Sequence, residues 1–354
     1  MMQLAAQDRL LIRMPSWLGD FIMAEPVVRA MVEWRGLARE RAPMTLVAPA
    51  PFLELLAGRF EDVTLMATGE GDRQQTWRGH DVALFLDGST RSVLRALRAG
   101  IPRRVGWARG AKGLLLTDGV RPALERGATP PGLGRHGRWP RRLPRPFSSA
   151  CHELVTAMGI PVFDIRPRLR VADGARAAVL ERLSASGLNP GDPFVLVNAG
   201  GRSDSAKACD PLQWARVLDQ LDSSAPVFVV GGPGEEARVR ATVEAADRGR
   251  VVAVLDPVAD LPELVGWCAQ AEVVLTADGG VRHVAAAVGA HQVVLFGPTD
   301  PRHSADVWDR EQHLRIEVPC GPCHAERCPI VGELNHACMT GIRAEAVAAA
   351  ARRE

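Results

Sequence analysis

The stretch VVLTADGGVRHVAAAV, residues 273–288, decides the fold. Its first four residues are apolar or β-branched and predict a buried strand. Residues 280–288 predict a helix, and the two glycines between the segments fit a tight turn. A strand that turns directly into a helix is the repeating unit of a parallel sheet covered by helices.

The same alternation of strand and helix recurs along the rest of the chain. Further strands are predicted at residues 10–14, 45–48, 63–66, 82–86, 194–198, 227–230, 251–255 and 293–296, and helices at residues 21–34, 52–57, 90–98, 151–159, 175–186, 211–222, 235–246 and 261–269. The pattern predicts an α/β protein of two doubly wound, Rossmann-like domains that face a central cleft, with ligands at the carboxyl ends of the strands. We expect an N-terminal domain over residues 1–165, a C-terminal domain over residues 166–340 and a terminal helix over residues 341–354.

Length and composition are typical of a soluble protein of two domains. Of the 354 residues, 47% are hydrophobic and 24% are charged. The longest apolar runs fall far short of the ~18 residues of a membrane-spanning helix. Asp8, Arg9 and Arg13 interrupt the N-terminal segment, which therefore does not resemble a signal peptide. We expect a cytoplasmic location.

Positive charge is concentrated in one segment. Residues 95–146 contain 13 lysines and arginines but only two acids, whereas the rest of the chain is net negative. A basic segment on an acidic protein predicts an anionic partner, such as nucleic acid, a phospholipid surface or an acidic sugar. Within this segment, residues 121–146 are rich in Pro, Gly and Arg and are predicted to form a long mobile loop.

Three strand-to-helix turns suit an anionic ligand, because the free N–H groups at a helix N-terminus attract negative charge. The first, residues 15–20, reads PSWLGD, and its Asp20 is either a helix cap or a general base. The second, residues 276–283, contains Gly279 and Gly280, which let a ligand approach the backbone closely. This second turn is the stronger candidate for an anion site.

The third turn, residues 198–207, ends at Lys207, one of only two lysines in the chain. A compact ammonium suits phosphate, although a solvated surface lysine explains the residue equally well. Residues 232–237 formally fit the G-x-G-x-x-A fingerprint of dinucleotide-binding turns. However, Glu235 and Glu236 would repel a pyrophosphate there, so this match is only weak evidence for a dinucleotide site.

Five stretches together resemble one known family. They are residues 14–20 (MPSWLGD), 99–107 (AGIPRRVGW), 198–207 (NAGGRSDSAK), 276–287 (TADGGVRHVAAA) and 296–301 (FGPTDP). They resemble the ADP-heptose:lipopolysaccharide heptosyltransferases of glycosyltransferase family 9, nearest to the heptosyltransferase II branch. The likeness runs in family order over nearly the whole chain.

This resemblance implies a GT-B fold, with the acceptor in the N-terminal domain and the ADP-heptose donor in the C-terminal domain. Asp20 would be the general base of an inverting transfer, and Lys207 would neutralise the leaving diphosphate. The residues implied to hold the nucleotide and diphosphate are Thr276, Asp278, Gly279, Gly280 and His283, and either Glu235 or Glu236 would reach the ribose. No cofactor is implied for catalysis, because a lysine, a helix N-terminus and backbone N–H groups can stabilise the diphosphate.

The implied acceptor is an anionic, lipid-linked sugar at the inner membrane face. The residues implied to bind it are Arg103, Arg104, Arg109 and Lys112. The loop 121–146 would cover the cleft or touch anionic lipid, which would make the enzyme peripheral at the inner membrane. No nucleic-acid partner is implied.

The chain departs from the family in ways that leave alternatives open. It reads Ala277-Asp278-Gly279-Gly280 where the family commonly has Asn-Asp-Ser-Gly, and it lacks the aromatic-proline pair after Lys207. One alternative is another GT-B glycosyltransferase, or a nucleotide-sugar epimerase, that uses a different activated sugar. A second is a non-catalytic protein that binds anions or nucleic acid.

Four of the seven cysteines are close together near the C-terminus. Cys320, Cys323, Cys328 and Cys338 lie within 19 residues. Four thiolates at short spacing suit a tetrahedral structural Zn site. A disulfide and free thiols remain alternatives. A catalytic metal is not expected, because no acid suited to general acid–base work adjoins the cluster.

Overall fold

The computed structural model describes residues 3–69, 74–121, 124–125, 141–142, 145–222, 224–304 and 310–352, with the backbone alone at 124–125 and 141–142. The chain divides into two compact units. Unit 1 contains the described residues up to 168 together with 302–304, and unit 2 contains the remaining described residues. The terminal helix belongs to unit 2, because its Val347 and Ala348 are part of that core.

Unit 1 alternates strands and helices. Its strands are β1 (Leu10–Arg13), β2 (Met44–Ala48), β3 (Val63–Ala67), β4 (Val82–Phe85), β5 (Arg103–Trp107), β6 (Asp118–Val120), β7 (Leu124–Glu125) and β8 (Arg141–Arg142). Its helices are α1 (Leu18–Met23), α2 (Glu25–Gly36), α3 (Ala50–Glu54), α4 (Gln74–Trp77), α5 (Thr90–Arg98) and α6 (Phe147–Thr156), with a 3₁₀ helix at Gly110–Leu115.

Unit 2 repeats this alternation. Its strands are β9 (Val195–Asn198), β10 (Val227–Val230), β11 (Val251–Ala253), β12 (Val273–Ala277), β13 (Gln292–Leu295) and β14 (Glu311–Leu314). Its helices are α7 (Asp173–Ala185), α8 (Pro211–Gln220), α9 (Glu236–Glu244), α10 (Leu261–Gln270), α11 (Gly280–Ala287), α12 (Ala337–Thr340) and α13 (Ala344–Ala351). A further 3₁₀ segment, Pro301–His303, begins at the last residue of this part of unit 2 and continues into residues of unit 1.

Each unit contains a six-stranded parallel sheet, and the two sheets have the same strand order. The order is β3-β2-β1-β4-β5-β6 in unit 1 and β11-β10-β9-β12-β13-β14 in unit 2. The winding therefore reverses between β1 and β4, and again between β9 and β12. In doubly wound sheets the crevice outside the carboxyl ends of these strands is where ligands bind. The predicted α/β class with two doubly wound sheets is confirmed.

The central strands are apolar along their length because helices cover both faces of a parallel sheet. Every residue of β1, β4, β10 and β13 is buried. In unit 2, the Trp267 ring packs on Phe194 and Phe228 with centroid distances of 5.7 and 4.9 Å. Burial of each such side chain stabilises the fold by about 1.5–3 kcal/mol.

The structure corrects several predicted elements. The single helix predicted at residues 21–34 is broken at Ala24 into α1 and α2. In a continuous helix, Pro26 would have no N–H to donate to the carbonyl of Ile22 four residues earlier, and its ring would crowd that carbonyl. Strands β5, β6 and β14 were not predicted from the sequence, because each contains charged residues that interrupt its apolar pattern.

The predicted mobile loop at 121–146 lies mostly outside the described residues. Within it, β7 and β8 pair antiparallel, which the sequence pattern does not predict. Among the described residues, no helix combines the length and the apolarity that a membrane span needs.

Candidate functional site

A cavity of about 970 Å³ opens at the carboxyl edge of the unit 1 sheet. Its wall includes Trp17 and Asp20 from the turn and helix after β1, and residues 87–89 from the turn after β4. These segments are distant in sequence but meet here because β1 and β4 are neighbours in the sheet.

Asp20, the predicted general base, lies in the first turn of α1 and lines this cavity. Phe21, Ile22 and Met23 follow it and are buried, which anchors the helix in the core. Burial raises the pKa of the neighbouring Cys151 thiol well above its usual range, and the charge of Asp20 adds to that shift. Asp20 itself is half-buried and lines the cavity, so its carboxylate is within reach of a ligand there.

A buried arginine connects the two turns. Arg13, the last residue of β1, donates from Nη2 to the hydroxyl of Ser16 at 2.9 Å and from Nη1 to the carbonyl of Met14 at 2.5 Å. Its Nε lies 3.5 Å from the Asp87 carboxylate. Arg13 thus fixes the turn that leads to Asp20 against the turn after β4.

Asp87 is a buried carboxylate that no sequence pattern singled out as a site residue. It accepts hydrogen bonds from the Ser92 hydroxyl at 2.7 Å and from the Ser89 N–H at 3.2 Å. Burial raises the pKa of Asp87, and these hydrogen bonds and Arg13 offset that effect only in part. Burial also lowers the pKa of Lys112, with Asp87 acting in the opposite direction.

The described part of the cavity wall contains five arginines: Arg13, Arg91, Arg95, Arg109 and Arg145. The guanidinium of Arg145 lies over the Trp107 ring, 5.5 Å from its centroid, and pairs with Glu153. Because the arginines outnumber Asp20 and Asp87 in this wall, the cavity favours an anionic ligand.

Only Arg109 of the four predicted acceptor-binding residues lines the cavity. Arg103 and Arg104 begin β5, at the opposite edge of the sheet. Arg103 contacts Asp8 at 3.5 Å, and Arg104 donates to the carbonyl of Leu115 at 2.9 Å. Lys112 is buried and does not reach the cavity surface. The structure thus places three of these residues away from the site predicted for them.

At the carboxyl edge of the unit 2 sheet, Lys207 pairs with Asp278. The Lys207 ammonium lies 3.0 Å from Asp278 Oδ2, Arg282 Nη1 lies 3.0 Å from Oδ1, and Thr299 donates to Oδ2 at 2.6 Å. Burial alone would raise the pKa of Asp278, but Lys207 and Arg282 outweigh it and hold this pKa well below its usual range. The charged carboxylate positions Lys207, whose side chain remains 43% exposed.

The first turn of α11 is anchored by a buried ion pair. Arg282 is fully buried and pairs with Glu311 of β14 through Nε at 2.7 Å and Nη2 at 2.6 Å. Gln292 donates to the same carboxylate at 2.9 Å. Burial and then Arg282 lower the pKa of the adjacent His283 to about 3, so its ring is neutral at pH 7. His283 is also buried, so its ring is less accessible to a ligand than the sequence analysis predicts.

The turn between β12 and α11 leaves room for a ligand. Thr276 is buried and accepts a hydrogen bond from the Asn198 side chain at 3.1 Å, which joins the ends of β12 and β9. A Cβ at Gly279 would meet no atom closer than the Ala277 carbonyl at 3.8 Å. The space beside Gly279 is therefore not filled by the protein.

The structure separates the two candidate ribose-binding carboxylates. Glu235 accepts from the Gly232 N–H at 2.7 Å and lies against Gly200, at the carboxyl end of β9. A side chain at Gly200 would collide with Glu235. Glu236 instead accepts from the Gly234 N–H at 3.0 Å, farther along the turn. Of the two, Glu235 lies at the edge where ligands are expected.

The family model for glycosyltransferase family 9 (heptosyltransferase) matches residues 73–332. The chain belongs to this family. The family 9 enzyme is 26% identical to lipopolysaccharide heptosyltransferase 2 of Escherichia coli strain K12 over 328 residues, which cover 87% of this chain and 88% of that protein. Its fold matches the structure of E. coli ADP-heptose LPS heptosyltransferase II with a TM-score of 0.68, at 22% identity and over 97% of each chain. The predicted likeness to the heptosyltransferase II branch and the predicted enzyme class are confirmed.

The fold is also similar to that of a metal-containing protein. This is the iron-containing dodecameric glycosyltransferase TibC from enterotoxigenic E. coli H10407, with a TM-score of 0.56. The two chains are 14% identical, and the match covers 99% of this chain and 76% of TibC.

The four clustered cysteines of the family 9 enzyme line one small pocket in unit 2, together with His336. All four are free thiols. Burial and then the three neighbouring cysteines raise the pKa of Cys338 to about 11. The Nε2 atom of His336 is buried and has no hydrogen-bond partner. No three His, Cys, Asp or Glu side chains of the described residues converge as a metal site, and the metal role stays a prediction.

The residues that sequence patterns missed have weak local signals. Arg13 ends an otherwise apolar strand, which is an unusual position for a charge and could have marked it. Arg91 and Arg95 are four residues apart on α5 and therefore share a helix face, but this spacing is common on solvated helices. Glu311 lies in a polar edge strand, and nothing in its neighbourhood in sequence indicates that it is buried.

Proposed function

We propose that this enzyme transfers heptose from ADP-heptose to an anionic acceptor of the lipopolysaccharide inner core, with inversion at the anomeric carbon. The names of the relatives support both substrates: lipopolysaccharide and lipooligosaccharide heptosyltransferases for the acceptor, and the E. coli ADP-heptose LPS heptosyltransferase II structure for the donor. The observation that carries the proposal is the position of Asp20, at the carboxyl edge of the unit 1 sheet and in a cavity walled by arginines.

In the proposed reaction, Asp20 accepts the proton of an acceptor hydroxyl while that oxygen attacks the anomeric carbon of the heptose. The new bond joins the acceptor oxygen to this carbon. The bond that breaks joins the same carbon to the β-phosphate oxygen, and ADP leaves with the electron pair. Attack from the face opposite the leaving group inverts the anomeric centre. A positioned carboxylate base of this kind contributes about 10²–10⁴-fold to the rate.

The donor is assigned to unit 2. Lys207, held by Asp278, is placed to neutralise the charge that develops on the leaving diphosphate. The N–H groups of Gly279 and Gly280 at the start of α11 add donors for the same charge. Glu235, beside Gly200, is the better placed of the two acids for the ribose hydroxyls. The same turn is stabilised by three buried residues, Thr276, Asp278 and His283.

The acceptor is assigned to the unit 1 cavity. Arg91, Arg95, Arg109 and Arg145 replace Arg103, Arg104 and Lys112 as the cations that meet its acidic groups. The excess of positive charge over residues 95–146 supports a peripheral contact with anionic lipid, and with it a cytoplasmic location at the inner membrane.

The cysteine pocket is assigned to a structural metal, apart from the chemistry. Four sulfur donors and the unpaired, buried His336 Nε2 line the same pocket, and four thiolates, or three thiolates and one imidazole, are the donors of structural Zn sites. Metal analysis of the purified enzyme should find about one ion per chain, which is lost in the Cys320→Ser/Cys323→Ser variant. The matched Cys151→Ser/Cys268→Ser variant should keep it.

Transfer is tested with purified enzyme, ADP-heptose and deacylated inner-core lipopolysaccharide. Mass spectrometry should show an acceptor heavier by one heptose, and NMR should show the inverted anomeric configuration. Asp20→Asn should lower kcat by about 10²–10⁴-fold while ADP still binds. Transfer from a UDP-sugar in place of ADP-heptose would instead support the alternative of a different activated sugar. Salt-sensitive RNA binding without transfer would support the non-catalytic alternative.

A further inference from the structure

One tryptophan beside the candidate base is exposed. Trp17 is 73% exposed, and among the described residues it is the only tryptophan with a mostly exposed side chain. A large apolar side chain loses stabilisation when it stays in water, by about 1.5–3 kcal/mol relative to burial. Trp17 lies immediately before α1, and its indole lines the same cavity as Asp20, three residues later.

The backbone on both sides of Trp17 is held in place. On one side, Arg13 binds the Ser16 hydroxyl at 2.9 Å and the Met14 carbonyl at 2.5 Å. On the other, the Trp17 carbonyl accepts from the Phe21 N–H at 2.8 Å, and Phe21 is buried. The backbone that carries the indole is therefore held in place beside the cavity.

Most other residues of the cavity wall are polar, although Trp107 and Phe147 also line it. Besides the five arginines, Asp20 and Asp87, it contains the hydroxyls of Ser16, Ser89 and Ser92. A sugar ring matches such a surface, because its C–H groups form an apolar face while its hydroxyls point outward from the ring edge. The apolar face can lie on the indole, and the hydroxyls can then meet the polar wall.

We propose that Trp17 is the stacking platform for the sugar ring of the acceptor and that it turns the reactive hydroxyl towards Asp20. This inference rests on the proposed function and assigns a specificity-determining residue to it. The indole supplies area and orientation without charge, whereas the arginines supply charge. Trp17 therefore selects a ring with an open C–H face, independently of the acceptor's acidic groups.

The test uses the full-length enzyme with deacylated inner-core lipopolysaccharide as the probe. Trp17→Ala should raise the acceptor KM about tenfold and leave the ADP-heptose KM unchanged. Trp17→Phe should restore much of this loss, while Trp17→Leu, which is apolar but has no ring, should not. Phe163→Ala is the matched control, because Phe163 is 94% exposed in unit 1 and does not line the cavity.

An acceptor KM of Trp17→Ala within twofold of wild type would overturn the inference, as would equal rescue by Leu and Phe. Calorimetric titration of the same oligosaccharide into wild type and Trp17→Ala, without donor, separates this result from failure of the proposed function. If the wild type transfers no heptose but binds the oligosaccharide through Trp17, the proposed reaction fails and the stacking platform stands. If Trp17→Ala binds the oligosaccharide as tightly as wild type does, Trp17 is not the stacking platform.

Discussion

Asp87 and Asp278 occupy the same topological position in the two units. Each follows the fourth strand of its sheet, each is buried, and each lies near two cations. Yet burial raises the pKa of Asp87, whereas cations hold the pKa of Asp278 below its usual range.

Distance accounts for this difference. Asp278 has Lys207 and Arg282 at 3.0 Å and the Thr299 hydroxyl at 2.6 Å. Asp87 has a single arginine contact at 3.5 Å, and Lys112 acts on it only through its charge. Charge interactions fall with separation, while the desolvation cost depends on burial. At the same position in the fold, the anionic form of Asp278 in unit 2 is therefore stabilised by nearby cations. The anionic form of Asp87 in unit 1 is destabilised by burial.

The largest effect should come from the buried cation of unit 2. Arg282→Met would leave Asp278 and Glu311 without their shared partner and should cost about 3–5 kcal/mol of stability. Calorimetric unfolding should show a melting temperature lower by about 10 °C. Arg202→Met is the control, because Arg202 also pairs with two acids, Asp204 and Glu326, but is 54% exposed. Equal effects of the two variants would contradict the assigned role of burial.

The next effect concerns nucleotide binding. Lys207→Ala should weaken ADP binding about 10- to 100-fold, because a charge-assisted contact to the diphosphate is lost. Isothermal titration with ADP measures this directly. Lys112→Met removes the only other lysine, which lies in unit 1, and should leave ADP affinity unchanged. If Lys207→Ala binds ADP with unchanged affinity, the assignment of the donor to unit 2 is contradicted.

A smaller effect is expected from the arginines of unit 1. Arg91→Gln and Arg95→Gln should each raise the acceptor KM about 3- to 10-fold, and the effect should shrink at high salt. Steady-state kinetics at two ionic strengths test this. Arg98→Gln on the same helix does not line the cavity and serves as the control. A rise in the ADP-heptose KM instead would assign these arginines to the donor.

The smallest effect should be in the pH dependence of stability. The pKa of Asp87 is raised, so the wild type should lose stability relative to Asp87→Asn as the pH rises above about 4, the ordinary pKa of an aspartate. The pKa of Asp278 is lowered, so its contribution is complete above about pH 4 and is lost only as the pH falls further. Melting temperatures of Asp87→Asn and the wild type between about pH 4 and 8 test the prediction for Asp87. If the melting temperatures of Asp87→Asn and the wild type change in parallel with pH, the inferred destabilisation of the Asp87 anion is wrong.

Much of the fold followed from local patterns. Apolar runs such as Val273–Ala277 formed strands, and the turn glycines after them led into helices, because strand and helix preferences act over a few neighbouring residues. The positions of Asp20 and Lys207 near strand ends were predicted in the same way. The sequence also shows Pro26, a residue that interrupts helices, although the helix break before α2 was not predicted from it.

The parts of the site that were not predicted depend on contacts between segments that are distant in sequence. The Arg13–Asp87 contact exists because β4 lies beside β1, and a local pattern carries no information about strand order. The side chains of Arg103 and Arg104 were predicted at the site, but their strand begins at the far edge of the sheet.

The sequence by itself determined an α/β protein with two doubly wound sheets, polar turns at its strand ends and four clustered cysteines. Only the tertiary structure decided which groups share a site: the five arginines around Asp20, the Lys207–Asp278–Arg282 cluster, and His336 among the cysteines. The physical reason is that periodicity reports which side chains are buried, whereas charge and hydrogen bonding depend on distances set by the packing of remote segments.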